Sequence, residues 1–179
     1  AELKGISIDG DTITIGAMTT QHELVTNEAL AKAAPLIREA SLQIADPQVR
    51  YMGTIGGNVA NGDPANDMPG LMQTLDAIYH LTGPEGSRKV KARDFYEAAY
   101  FTAREDEEIL TAISFAKPSG GFAYEKQKRK IGDYATAAAG VIITIEGGTC
   151  TAASVALTNL SDTPVYCAAA VEALVGSSL

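Results

Sequence analysis

Between Gly53 and Asp67 the chain packs four glycines, three asparagines and two aspartates into fifteen residues, Gly53-Thr54-Ile55-Gly56-Gly57-Asn58-Val59-Ala60-Asn61-Gly62-Asp63-Pro64-Ala65-Asn66-Asp67. Few stable folds need that mixture in one stretch. Glycine lets the backbone turn through positive φ and lets another group approach it closely. Successive backbone N–H groups in such turns form a concave nest for anions. The amides and carboxylates that follow suit a sugar or a ring edge. The stretch reads as a cradle for a phosphate-bearing cofactor.

Net charge sharpens that reading. The chain of 179 residues carries 14 basic and 22 acidic side chains, a formal charge of −8. That disfavours nucleic acid or an anionic membrane as main partner, because both need basic patches. An acidic protein that holds a pyrophosphate must do so mainly with backbone N–H groups. Hydrophobic content of 46% and charged content of 20% are those of a globular chain with a sizeable core. The length allows one domain or two small ones.

The chemistry-bearing side chains are sparse. Cys150 and Cys167 lie in apolar runs with no CxxC or Cys/His cluster, so no metal site is expected, and buried free thiols suit a reducing cytoplasm. His22 and His80 read as structural or surface residues. There is no Walker A, Gly-x-Ser-x-Gly or Gly-x-Gly-x-x-Gly sequence. No catalytic residue is assigned, so any chemistry belongs to a cofactor. No run of eighteen apolar residues occurs.

Periodicity and punctuation give an outline. Residues 5–17 alternate and predict a β-hairpin with an Asp9-Gly10 turn. Thr20 and Glu23 form a capping box for a helix over about 20–26. Further helices are expected over 27–34 and from Pro35 to 44, with Asp46-Pro47 ending the last and Pro47–Tyr51 a short turn. A short helix follows Asp67, a strand covers 77–82, and Asp94 caps another short helix to about Ala99. Strands are expected at 108–115, 121–128, 140–146 and 149–158, then a helix over 165–175. Lys117-Pro118-Ser119-Gly120-Gly121 is the candidate linker, dividing residues 1–117 from 118–179. The abrupt start and the unpartnered last helix suggest a piece of a longer polypeptide, shortened at both ends.

Two blocks in the cradle carry a specific resemblance. Thr54-Ile55-Gly56-Gly57-Asn58 and Gly62-Asp63-Pro64-Ala65-Asn66-Asp67-Met68-Pro69 are similar to the second FAD-binding segment of the molybdenum hydroxylase flavoproteins. This family includes the medium subunits of aerobic carbon monoxide dehydrogenases and the central domain of xanthine dehydrogenases. Ile15–Thr20, Ile44–Arg50, Ala92–Tyr96, Ala99–Ala103 and Arg129–Ala135 match as well, and the last three look closest to the carbon monoxide dehydrogenase branch. The resemblance implies an α+β fold. Residues 1–117 would be the second lobe of a two-lobed (PCMH-type) FAD-binding domain, and 118–179 a small antiparallel sheet/helix C-terminal module, incomplete. The family's first FAD segment, an Ala-Gly-Gly-x-Ser-type loop on a preceding lobe, would lie upstream of Ala1.

The resemblance also implies a cofactor and a set of contacts. Thr54, Ile55, Gly56, Gly57 and Asn58 would donate backbone N–H groups to the FAD pyrophosphate. Asp67 would stand near the flavin's sugar side, with Asp63 and Asn61 as loop stabilisers. Leu110 matches a position whose backbone contacts the cofactor, and Tyr134 one that lies over the flavin ring. A lysine of the xanthine dehydrogenase branch aligns with Glu125; strand alternation points the neighbouring Lys126 to the opposite face. The basic cluster Lys126, Lys128, Arg129 and Lys130 reads as a solvated strand end or as a docking surface for an acidic subunit.

The role implied is an oxidoreductase subunit for electron transfer. Electrons would pass from a molybdenum cofactor in a large subunit, through [2Fe-2S] clusters in a small subunit, to FAD here and on to an external acceptor. Carbon monoxide is the implied substrate of the complex. The expected location is cytoplasmic, with membrane association through the complex alone. The alternatives are a scaffolding homologue that does not retain FAD, and the flavin subunit of a related aldehyde or N-heterocycle dehydrogenase.

Overall fold

The computed structural model describes residues 3–178. It is an α+β structure built on two antiparallel sheets. The first sheet has the order β1-β2-β7-β3-β4, from β1 (Ile6–Asp9), β2 (Thr12–Gly16), β3 (Ile78–Gly83), β4 (Gly86–Lys91) and β7 (Ile109–Ala116). Strands β1 and β2 pair Asp9 with Thr12, so the hairpin turn is Gly10-Asp11, one residue later than expected. Gly10 takes the positive φ (56°) that such a turn requires.

Alternation decides which face of this sheet is covered. Ile13, Ile15, Tyr79, Leu81, Ile113 and Phe115 are buried, while Thr12, Thr14, His80 and Ser114 lie on the other face. Six short helices follow, α1 (Gln21–Thr26), α2 (Glu28–Ala33), α3 (Pro35–Leu42), α4 (Pro47–Met52), α5 (Ile55–Ala60) and α6 (Asp67–Thr74), and all but α4, which packs on α1, bury side chains in the shared core. Thr20 and Glu23 form the complete capping box at α1. Asn27 caps α2 through its side chain. Pro35 occupies the first turn of α3, where its missing N–H costs nothing.

Two local expectations are corrected. Pro47–Met52 is a helix, not a turn, because the Asp46 carboxylate accepts the Val49 N–H and Pro47 starts the helix. The helix expected after Asp94 is replaced by a 3-10 turn (Ala92–Asp94) and a small hairpin of β5 (Tyr96–Ala98) and β6 (Phe101–Thr102). Phe95 is fully buried there against Tyr79, ring centroids 4.7 Å apart, so the core pulls the segment out of helical register.

The second sheet has the order β11-β10-β9-β8, from β8 (Gly121–Gln127), β9 (Ala137–Glu146), β10 (Thr149–Thr158) and β11 (Val165–Tyr166), followed by α7 (Ala168–Leu174). Strand β9 begins three residues before the expected Gly140, because Ala137, Ala138 and Ala139 pair with Gln127, Lys126 and Glu125. Cys150 is buried, but Cys167 is half-exposed at the start of α7. No helix among the described residues is long and apolar enough to cross a membrane.

Helix α6 joins the two sheets. All eight of its residues are buried. It packs on β9, β10 and β11 on one side and on α3 and α5 on the other. Thr74 Oγ1 lies within hydrogen-bond reach of both the Gly70 carbonyl of its own helix (3.1 Å) and the Gly140 carbonyl (3.3 Å), and Ser154 Oγ donates to the Thr74 carbonyl (2.7 Å). Arg93 lies 3.5 Å above the Tyr166 ring, a second link between the halves.

Candidate functional site

The cradle is a helix turn rather than an open loop. Thr54 is the N-cap of α5, and its Oγ1 accepts the Gly57 N–H at 3.0 Å. Gly56 and Gly57 are helical; in the stretch from Gly53 to Asp67 positive φ falls at Gly62 (65°). The expected nest is therefore not formed. Its donors are used inside the chain: Ile55 N–H to the Thr19 carbonyl (2.9 Å), Gly56 N–H to the Ala17 carbonyl (2.9 Å) and Asn58 N–H to the Thr54 carbonyl (3.0 Å). The segment 17–20 runs alongside, bridged at Thr20 and Thr54, and takes the amides that a nest would present.

Close approach does explain one glycine. A Cβ on Gly56 would stand 2.5 Å from the Ala17 Cβ and 2.6 Å from its carbonyl oxygen. At Gly57 a Cβ would meet Thr54 Oγ1 at 3.1 Å and nothing else within 4 Å, and the residue is exposed. Ile55 is fully buried in the core. The open edge of the turn thus consists of Thr54, Gly57 and Asn58.

Asn58 is tied down. Its carbonyl accepts the Asn66 side-chain N–H (2.9 Å), and its Oδ1 accepts the Met68 N–H at the start of α6 (3.2 Å). Asn66, the N-cap of α6, makes no side-chain cap bond, so Asn58 caps that helix from a distance. Asp67 is 3% exposed. Tyr124 donates to its Oδ1, and Lys126 Nζ reaches its Oδ2 at 2.8 Å. Burial, then the Asp67 carboxylate, pushes the Tyr124 hydroxyl far above the usual tyrosine range.

The other expected site residues divide. Leu110 is 7% exposed, opposite Leu81 in the sheet core, although its strand also packs against α5. Tyr134 is 64% exposed, on the loop between β8 and β9. A second exposed tyrosine, Tyr100, falls within the matching Ala99–Ala103 block. Tyr100 has φ of 61° and is 65% exposed. Its N–H donates to the Gly62 carbonyl at 2.7 Å, and the Asp63 carboxylate, with Tyr134 adding to it, raises its phenol pKa. A tyrosine with positive φ is strained and is held by its surroundings; sequence carries no direct signal of it beyond the matching Ala99–Ala103 block.

The basic cluster is split: Arg129 and Lys130 stay exposed, while Lys126 and Lys128 reach into the chain. Lys126 is buried in its pair with Asp67, Lys128 donates to Gln43 Oε1 (3.3 Å) and Arg129 pairs with Asp133 (3.3 Å). A cleft of about 570 Å³ lies elsewhere, between Gly83–Arg88 and Glu105–Glu108; its carboxylates suit no anionic cofactor.

Two family models cover the chain. "FAD binding domain in molybdopterin dehydrogenase" matches residues 1–118 and "CO dehydrogenase flavoprotein C-terminal domain" matches 122–179. The chain belongs to this molybdopterin dehydrogenase flavoprotein family. It is 61% identical over 180 residues to the carbon monoxide dehydrogenase medium chain of Afipia carboxidovorans, covering 99% of this chain and 62% of that one. It is 44% identical over 165 residues to the corresponding chain of Hydrogenophaga pseudoflava, covering 90% and 57%. A solved structure of reconstituted CO dehydrogenase from Oligotropha carboxidovorans superposes with a TM-score of 0.97 at 60% identity, covering 98% of this chain and 62% of that chain. The chain therefore spans about three-fifths of the length of the curated relatives it matches.

The residues present fit part of an FAD site. Gly57 offers backbone with no side chain, and the Thr54 N–H makes no hydrogen bond among the described residues. An anionic group could meet that edge, where the start of α5 adds a partial positive charge. Ile55 and Gly56 are buried with their N–H groups bonded inside the chain, and each Asp67 carboxylate oxygen accepts an internal bond.

Proposed function

We propose that this chain is the FAD-carrying part of a medium subunit in a molybdenum hydroxylase complex. In that reading it is an oxidoreductase subunit that transfers electrons from [2Fe-2S] clusters to an external acceptor during aerobic oxidation of carbon monoxide. The observation that carries the reading is 61% identity to a carbon monoxide dehydrogenase medium chain across almost all of this chain. The partners would be a large molybdenum subunit, a small iron–sulfur subunit and the acceptor. The location would be cytoplasmic, with any membrane contact made through the complex.

FAD supplies the redox chemistry when bound, and the chain's residues supply its setting. Thr54 and Gly57 would meet the pyrophosphate edge. Asn58 would hold the α5 turn against α6. Tyr134 would border the ring and limit access to it. The division into an FAD lobe (1–117) and a C-terminal module (118–179) belongs to the same proposal.

The test is the flavin content of the purified full-length subunit, read by visible absorbance and by FAD reconstitution. Bound flavin that is reduced when the complex receives carbon monoxide is the expected result. The internal use of the Ile55, Gly56 and Asn58 amides favours a second reading, a scaffolding homologue without FAD. A colourless full-length subunit that cannot be reconstituted would select that reading. Flavin reduction by an aldehyde or an N-heterocycle, and not by carbon monoxide, would move the complex to a related dehydrogenase.

A further inference from the structure

Three parts of the molecule meet at the first turn of α6. Asn66 and Met68, on either side of Asp67, both bond to Asn58 of α5. Asp67 turns the other way, to Tyr124 and Lys126 of β8. Lys126 Nζ also donates to the Gln43 carbonyl after α3 (3.2 Å). The two charged side chains keep 5% and 1% of their exposure.

Stability alone does not account for such a pair. Desolvation of two charges consumes much of their attraction, and apolar residues of similar volume often hold as well or better. An ion pair with a third hydrogen bond does fix distance and direction. Here it fixes β8 relative to the α6 terminus that Asn58 grips.

We infer that Asp67 and Lys126 are positioning residues whose buried ion pair locks the second sheet onto α6 and, through Asn58, sets the α5 turn that presents Thr54 and Gly57. This departs from the direct contact to the flavin's sugar side that the resemblance gives Asp67. Both carboxylate oxygens are held within the chain, so Asp67 acts on the cradle through its neighbours. The inference rests on the FAD reading only for its affinity measurement.

The experiment uses the full-length subunit as wild type, Asp67→Asn, Lys126→Met and the double variant. Hydrogen–deuterium exchange of residues 54–62, without added cofactor, reads the cradle directly. Each single variant leaves a buried group unpaired and raises exchange there by about tenfold or more; the double variant, with no charge left over, returns to within about threefold of wild type. FAD titration follows the same pattern, with Kd raised about tenfold in the singles and restored in the double. A double variant that binds FAD as weakly as Asp67→Asn shows that the carboxylate touches the cofactor and overturns the inference. So does unchanged exchange in both singles. If no form binds FAD, the flavin reading fails while the exchange result still decides the lock. Tyr124→Phe, which keeps both charges, covers a single variant that does not fold: it raises exchange in 54–62 by a smaller factor, and no change there counts against the lock.

Discussion

A Cβ added to Gly56 would stand 2.5 Å from the Cβ of Ala17 and 2.6 Å from its carbonyl oxygen. The Gly56 N–H already donates to that carbonyl, so neither backbone can withdraw without breaking the bond. Gly56→Ala should destabilise the chain by about 1–3 kcal/mol, the range for overpacking a tight contact. Gly57→Ala, which meets only Thr54 Oγ1, should change stability little. Denaturant unfolding of both variants checks the contrast. Flavin loss in a fully folded Gly57→Val would then report a blocked ligand surface rather than a damaged fold.

Thr54 has two separable duties. As the N-cap of α5 its hydroxyl oxygen accepts the Gly57 N–H. Thr54→Ala should cost about 1 kcal/mol, and Thr54→Ser should keep most of it. Thermal unfolding of the pair, compared with their FAD affinities, shows whether the hydroxyl serves the helix alone.

Tyr79 and Tyr96 share a buried hydroxyl chain. The two oxygens are 3.1 Å apart, and Tyr96 donates to the Val59 carbonyl of α5 at 3.2 Å. Tyr79 therefore donates to Tyr96. Tyr96→Phe strands the Tyr79 donor and should cost about 1–3 kcal/mol; Tyr79→Phe leaves only an acceptor underused and should cost less. Burial pushes both phenols above the ordinary tyrosine range, so neither should ionise in an alkaline absorbance titration of the folded protein.

Glu108 gives the clearest pH dependence. The Arg88 guanidinium binds both of its oxygens (2.6 and 2.7 Å), the Glu105 N–H adds a third bond, and the carboxyl falls from 4.5 to about 2. A depressed carboxyl contributes stability that is complete above its unfolded value and is lost as pH falls through its folded value. The contribution should therefore fade between 4.5 and about 2. Carbon-detected NMR titration of Glu108 checks the midpoint, and Glu108→Gln should flatten the acid limb of the stability curve.

What could be read in advance depended on distance along the chain. Thr20 with Glu23, Asn27 with Leu30 and Pro35 at its helix start are decided within four residues, and their helices were legible. The Asp46-Pro47 signal is equally local, but besides following the end of α3 it opens α4 where a short turn is expected. Helix α5 was hidden because paired glycines argue against helix; it forms because residues 17–20 grip its amides. Alternation correctly put Lys126 opposite Glu125 in direction, yet its partner lies 59 positions away. Whether that face met solvent or Asp67 was a matter of tertiary packing. Tyr100 takes a positive φ because Ala98 pairs with Phe101 and leaves it in the two-residue turn of a hairpin that the sequence pattern, expecting a helix there, does not announce.

Helix α6 belongs by chain order to the first half and by contact to both. Its Gly70 and Thr74 touch Thr158 and Gly140 so closely that an added methyl group at either glycine would collide. The two halves are consequently not interchangeable cassettes. A half grafted from a relative would bring its own fit to α6, and a mismatch of a single carbon would be felt at the Asn58 end of the same helix. A change of side-chain volume at this seam in one half therefore has to be accommodated by the other.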